Sequence, residues 1–172
     1  MADFLNKFRR TSAPSAGQES QPNPRMPDSH APSSAAPTFA PHRVLYAEDE
    51  PMLRDLFSLV LRQAGHRVET AADGRSALDL VRASFGRFDV VLTDHQMPGL
   101  NGLGLVRELR RLAFPGRIVI FASRLADADQ AAYRDLGVDV ILPKPLFPST
   151  LVEVIGALPP VSGGADCTQA AG

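Results

Sequence analysis

Five times in succession this chain changes period, from a short apolar run to a longer stretch patterned for a helix. The runs at 44–47, 66–71, 90–93, 118–122 and 138–142 are a few residues long and mostly apolar and β-branched, as strands are. The first helical stretch, 51–64, carries Leu53, Leu56, Phe57, Val60 and Leu61 on one face and stops at Gly65. Asp73-Gly74 turns into a second, over 75–84, and Leu105, Val106, Leu109 and Leu112 set the face of a third. Asp127 with Gln130 reads as a capping-box start for a fourth, closed by Gly137, with a weakly apolar face of Ala128, Ala131, Ala132 and Leu136. Thr150 with Glu153 offers the same start to a fifth, which bears Leu151, Val154, Ile155 and Leu158. This alternation predicts a doubly wound sheet of five parallel strands, with right-handed crossovers placing helices on both faces. The expected fold class is α/β in three layers, with one folded domain over 42–158.

In such a sheet, ligands gather outside the carboxyl ends of the strands, so the residues just past each strand matter most. The run at 90–93 ends abruptly on Asp94, and Met97-Pro98-Gly99 and Asn101-Gly102 then supply turn chemistry that excludes strand or helix. Alone, Asp94 could simply cap that turn. The run at 44–47 ends on Glu48, Asp49 and Glu50, with Pro51 at the first helical position, where its missing N–H costs nothing. Alone, this cluster would be an acidic first turn favoured by the helix dipole. Two strands of one parallel sheet that both end in carboxylates can bring those groups together, and their repulsion then calls for a divalent cation. Oxygen ligands without cysteine or paired histidine suit Mg²⁺ better than Zn²⁺. The run at 138–142 leads into Pro143-Lys144-Pro145, whose prolines keep Lys144 out of a regular helix or central strand. By itself Lys144 would be a solvated loop lysine; beside Glu48, Asp49 and Asp94 it becomes a candidate anion partner.

Composition narrows the classes further. A net charge of −1 with 22% charged residues leaves no basic footprint for nucleic acid. The single cysteine, Cys167, allows no intrachain disulfide, as expected in a reducing compartment. No apolar run approaches the ~20 residues that span a bilayer, and in MADFLNKFRR the charges interrupt the apolar residues. A soluble, cytoplasmic product without membrane insertion is the expectation. Residues 1–41 hold seven of the fifteen prolines (Pro14, Pro22, Pro24, Pro27, Pro32, Pro37 and Pro41) among Ser, Ala, Gln and Asn, and read as a disordered leader. Within it Phe4, Leu5 and Phe8, beside Lys7, Arg9 and Arg10, make one amphipathic turn, too short for a stable helix. Residues 159–172 read as a flexible tail. No second folded domain is visible, so an output module such as a helix-turn-helix is expected to be absent.

Taken together, Glu48-Asp49 in LYAEDE, Asp94 in LTDHQMPGLNG with its Met97-Pro98 and Asn101-Gly102, and Lys144-Pro145 after the last strand resemble one known module. It is the receiver domain of two-component response regulators, the chemotaxis-type, flavodoxin-like fold. The likeness covers 42–158 with all four motifs in order. It implies a phosphoryl group accepted on Asp94 from a sensor histidine kinase or a histidine phosphotransfer protein, with Mg²⁺ as cofactor. Asp49 and Asp94 would hold the metal directly, Glu48 directly or through water, and the backbone carbonyl of Gln96 would complete the protein ligands. Lys144 would pair with a phosphoryl oxygen. Met97, Pro98, Gly102 and Pro145 would shape the loops. The resemblance implies a signalling phosphoacceptor rather than an enzyme acting on separate substrates, with an unknown downstream protein partner and room for a homodimer.

Two positions depart from the family pattern. The fourth strand usually ends in Ser or Thr, and the family interval from Lys144 lands on Ala122, with Ser123 one place later. Either Ser123 supplies the hydroxyl through a small shift or the contact is missing. The second is favoured, because neighbouring strand residues face opposite ways. The aromatic switch three residues before the lysine is here Ile141. A phosphorylation-independent scaffold of receiver shape is the alternative these departures raise. A haloacid-dehalogenase-type phosphohydrolase would need a second acid two residues after its nucleophile, where Gln96 stands. His95 reads as a surface loop residue with nothing nearby to orient it, and Tyr133 as a plain exposed tyrosine on the fourth helix.

Overall fold

The computed structural model describes residues 40–161. Five strands, β1 (Arg43–Ala47), β2 (Arg67–Ala71), β3 (Val90–Asp94), β4 (Arg117–Ala122) and β5 (Val140–Pro143), form one sheet in the order β2-β1-β3-β4-β5. Every neighbouring pair is parallel. Each strand is followed by a helix: α1 (Pro51–Gln63), α2 (Gly74–Ala83), α3 (Gly102–Arg111), α4 (Asp127–Asp135) and α5 (Pro148–Ala157). The α/β, five-stranded, doubly wound class is thus the observed one. The amphipathic turn at Phe4, Leu5 and Phe8, Cys167, and nearly all of the expected leader and tail lie outside the described residues.

The three inner strands carry almost uninterrupted apolar runs because both of their faces are covered. Alternation along each strand splits the core into two layers. Val44, Tyr46, Val90, Leu92, Val119 and Phe121 point toward α1 and α5, where they meet Phe57, Leu61, Leu151 and Ile155. Leu45, Val91, Ile118, Ile120 and Ala122 point the other way and pack with residues of α2, α3 and α4.

Helix ends follow local chemistry, with two corrections. Pro51 opens α1 at a first-turn position, and Gly65, just beyond its end, has φ +95°, a conformation that suits glycine. Asp73 caps α2 by accepting from the N–H of Ser76, and Asn101 caps α3 by accepting from Gly104. The two expected capping boxes do not form. Helix α4 is capped at Ala126, so Asp127 is already helical and acts only through the dipole. Helix α5 starts two residues before Thr150, at Pro148, whose fixed φ is suited to a first turn. The last strand also begins later than its apolar run, at Val140 instead of 138.

Candidate functional site

The strand order turns back on itself between β1 and β3. One crossover leaves β1 outward to β2, and the next returns to β3 on the other side. A crevice opens at such a switch point beyond the carboxyl ends of the strands. Register places Ala47 beside Thr93, so Glu48 and Asp49 emerge level with Asp94. Glu48, Asp49 and Asp94 each offer a carboxylate oxygen, and these lie within 4.8 Å of one another. Glu48 and Asp94 are buried, 1% and 8% exposed, and Asp49 is the more accessible of the three.

Lys144 supplies the one positive charge paired with these acids among the described residues. Its Nζ lies 2.7 Å from Glu48 Oε2 and 3.2 Å from Asp94 Oδ1. The ammonium also sits over the Phe121 ring, 4.8 Å from its centre, a cation–π contact that fixes the direction of the stem. Pairing across 96 residues of chain follows from β5 lying beside β4, with the Lys144 N–H donating to the Ala122 carbonyl at 2.8 Å.

Glu48 is held on two further sides. The buried Tyr46 hydroxyl, on the same face of β1, donates to Glu48 Oε2 at 3.0 Å. Burial, then the negative charge and hydrogen bond of Glu48, push this hydroxyl far above its usual pKa, so it remains a donor. Arg54, from the first turn of α1, donates to the carbonyls of Glu48 (2.7 Å) and Asp49 (3.3 Å), pinning the acidic loop by its backbone. Tyr46 and Arg54 escape a reading by strand and turn signals, although the step of two from Tyr46 to Glu48 already places both on one face.

The loop after Asp94 is shaped by contact. A Cβ on Gly102 would fall on the Asp94 carbonyl oxygen, and the Gly102 N–H donates to the His95 carbonyl at 3.0 Å, so only glycine closes the loop this way. Gly99 has φ +72°. Met97 is buried in the core on the α2–α4 side, while Gln96 and Pro98 are exposed. Pro145 follows Lys144 across a cis peptide bond.

The two departing positions are separated as strand alternation requires. Ala122 is buried, its methyl directed to the α2–α4 side, whereas Ser123 is exposed and lines a groove with Leu53, Phe57, Phe121 and Lys144. Ile141 is half-buried against the same core cluster as Ala122.

His95 and Tyr133 overturn their expectations. His95 is buried, and its ring Nδ1 lies 2.8 Å from the hydroxyl of Tyr133, which is itself fully buried. The signal was present in β3: Val91, Thr93 and His95 share a parity, and Val91 faces α2–α4. The inner face expected for α4 is half right: Ala132 and Leu136 pack against the core, but Ala128 and Ala131 are exposed and the helix turns Tyr133 inward.

The donor set around Asp94 is all oxygen, with three carboxylates crowded and one lysine between two of them; this is the chemistry a hard divalent cation fits. Comparison with known proteins agrees. Residues 44–156 match the family model described as response regulator receiver domain. Among curated proteins, the alkaline phosphatase synthesis transcriptional regulatory protein SphR of Synechococcus elongatus is 34% identical over 134 residues, covering 74% of this chain and 51% of that protein. The transcriptional regulatory protein TcrA of Mycobacterium tuberculosis is 37% identical over 103 residues, covering 60% of this chain and 40% of that protein. The chain thus spans about half the length, or less, of these relatives. Among solved structures, the chemotaxis protein CheY4 of Vibrio cholerae superposes with a TM-score of 0.62 at 31% identity, over 67% of this chain and 97% of that one. A CheY-like receiver domain protein from Methanospirillum hungatei gives 0.63 at 23% identity, over 67% and 91%, a likeness of fold.

Proposed function

The chain belongs to the family of response regulator receiver domains, and from that premise we propose that it is a phosphoacceptor of a two-component pathway, with Asp94 as the accepting residue. A sensor histidine kinase or histidine phosphotransfer protein would donate the group. A carboxylate oxygen of Asp94 attacks phosphorus, the bond from phosphorus to the donor nitrogen breaks, and that nitrogen keeps the electron pair. The observation that carries this reading is the meeting of Asp94 with Glu48, Asp49 and Lys144 at the switch point of the sheet.

Each group has work to do there. Mg²⁺, when bound, neutralises charge on the transferring phosphoryl oxygens. Asp49 and Asp94 would hold it directly, with the backbone carbonyl of Gln96. Glu48 shares one oxygen between Tyr46 and Lys144, which leaves its other oxygen to reach the metal directly or through water. Lys144, already 3.2 Å from Asp94, would turn to an oxygen of the acyl phosphate as the Asp94 charge is lost. Signalling would proceed by protein–protein contact or onward transfer. Transcriptional regulation is in the names of the longer relatives, and we assign this chain the receiver's part of such a pathway.

Incubation with Mg²⁺ and acetyl phosphate tests this. The wild-type chain should gain the mass of one phosphoryl group, and Asp94→Asn should gain none. A wild type that gains nothing would instead favour the scaffold reading, to which Ala122 and Ile141 lend support. Lys144→Ala should still be labelled but lose the conformational response over residues 122–145, read by amide exchange.

A further inference from the structure

His95 belongs by its main chain to the phosphoacceptor strand and by its side chain to α4. Its N–H donates to Asp94 Oδ1 at 2.7 Å. Its ring Nδ1 is 2.8 Å from the Tyr133 hydroxyl, with the two rings edge to face at 5.7 Å. The other ring nitrogen, Nε2, is 3.6 Å from Asp129 Oδ2, one turn earlier on the same helix. Tyr133 is the buried residue of α4, whose other side chains are half-buried or exposed, so this side chain anchors the helix to the core.

The chemistry of the pair is well defined. Burial, then the carboxylates of Asp129 and Asp94, push the Tyr133 hydroxyl well above its usual pKa, which keeps it neutral. Hydroxyl and ring nitrogen can share this bond in either direction, according to the tautomer of His95, and Nε2 faces Asp129 in both. A buried donor and acceptor that part company lose more than the bond itself, because neither finds water. The apolar members of the same core cluster, among them Ala122, Met97 and Ile141, carry no hydroxyl or amide in their side chains, and the carboxylates that act on the pair are those of Asp129 and Asp94. If His95 moves, Tyr133 must follow or the buried bond between them is lost.

We infer that His95 and Tyr133 are positioning residues for the phosphoacceptor, and that their hydrogen bond ties the state of Asp94 to the placement of α4. The inference rests on Asp94 being the phosphorylated residue. Phosphorylation of one carboxylate oxygen to the acyl phosphate removes the carboxylate charge that now holds the His95 N–H, so that N–H re-aims at the new group. The ring is carried with the backbone, and Tyr133 transmits the shift to the one helix it anchors. The coupling runs both ways at equilibrium, since whatever holds α4 must shift the free energy of phosphorylating Asp94 by the same amount. Ala122 and Ile141 leave no hydroxyl or aromatic ring at the positions they occupy, and His95–Tyr133 bridges the same stretch of core by a different route.

Tyr133→Phe keeps the ring and its packing while deleting the hydroxyl, and His95→Leu keeps the N–H on Asp94 while deleting the ring nitrogens. In each protein Asp94 is first labelled to completion with acetyl phosphate, as followed by mass; the new oxygen–phosphorus bond forms and acetate leaves with its electron pair. Amide exchange over 127–135 is then compared before and after labelling. Wild type should show a change in α4 exchange that falls about fivefold in Tyr133→Phe. His95→Leu should lose as much, and the double variant no more than either single one, the signature of a shared interaction. Equal α4 responses in fully labelled wild type and both variants would overturn the inference, as would a labelled wild type with no α4 response. Failure of wild type to accept the group at all would overturn the assignment of Asp94 first and this inference with it.

Discussion

The two edges of the sheet treat acidic residues in opposite ways. At the amino edge each carboxylate is matched. Asp89, just before β3, accepts from the Arg43 N–H (2.8 Å), Nε (3.1 Å) and Nη2 (2.7 Å) at the start of β1. Asp139, just before β5, repeats the clasp on β4, accepting from the Ile118 N–H (2.9 Å) and Arg117 Nη1 (3.0 Å). At the carboxyl edge, Glu48, Asp49 and Asp94 crowd together, and the one lysine there pairs with Glu48 and Asp94 only. Acids that hold strands together are paired residue by residue. Acids that we propose meet a metal and a phosphoryl group are left short of positive charge, an arrangement expected to cost stability.

The largest effect should come from breaking the matched edge. Burial alone would raise the Asp89 pKa, but the hydrogen bonds from Arg43 outweigh it and hold the carboxyl below its usual range. Asp89→Ala removes this acceptor and strands the part-buried Arg43 N–H. Urea denaturation should show a loss of about 2 kcal/mol, after allowance for partial solvent exposure. A loss within error of zero would mean that the clasp is a surface ornament and that the contrast between edges is unreal.

The crowded edge should respond with the opposite sign. Among the described residues the Asp49 side chain is in no ion pair or hydrogen bond of the site, so Asp49→Asn removes repulsion at little cost in contacts. Without Mg²⁺ the variant should be more stable than wild type, by on the order of 1 kcal/mol. Adding Mg²⁺ should stabilise wild type in proportion to occupancy and leave Asp49→Asn nearly unmoved. Destabilisation of the metal-free variant would show that the acids are not in conflict.

The same contrast explains what could be read from the sequence. Asp94, Glu48, Asp49 and Lys144 were legible because each lies where an apolar run stops, and strand ends in a parallel sheet converge by topology alone. Tyr133 was not, because α4 is so weakly amphipathic that alanines and a leucine outvoted one aromatic residue in choosing the inner face. Its burial depends on a polar partner, His95, in another element, which no local period records. The capping signals failed for a similar reason. Asp127 and Thr150 match the motif, but Ala126 begins the turn in one case, and Pro148 preset it earlier in the other. Composition did not reveal the clasps of Asp89 and Asp139 either, as they look like ordinary loop acids until register brings the neighbouring strand alongside.

The smallest effect belongs to the amino edge as well, where His42 and His66 stack at 5.7 Å, both buried. The His42 N–H donates to His66 Nδ1 at 3.1 Å, which leaves the His66 proton on Nε2. A second proton would have to displace that hydrogen bond. Burial, then the neighbouring His42, lowers the His66 pKa below its ordinary value of 6.5. In the unfolded chain the same ring binds its proton more readily, so between the two pKa values the unfolded state holds more protons and stability rises with pH. The contribution is fully present above the ordinary histidine range and is lost as pH falls through it toward the folded value. Urea midpoints measured from pH 7.5 down to 5 should therefore decline, and the decline should be shallower in His66→Gln, which retains an acceptor for the His42 N–H and cannot titrate. Identical slopes in the two proteins would show that His66 does not carry the acid sensitivity, and the division of labour between the edges would then fail at its last point.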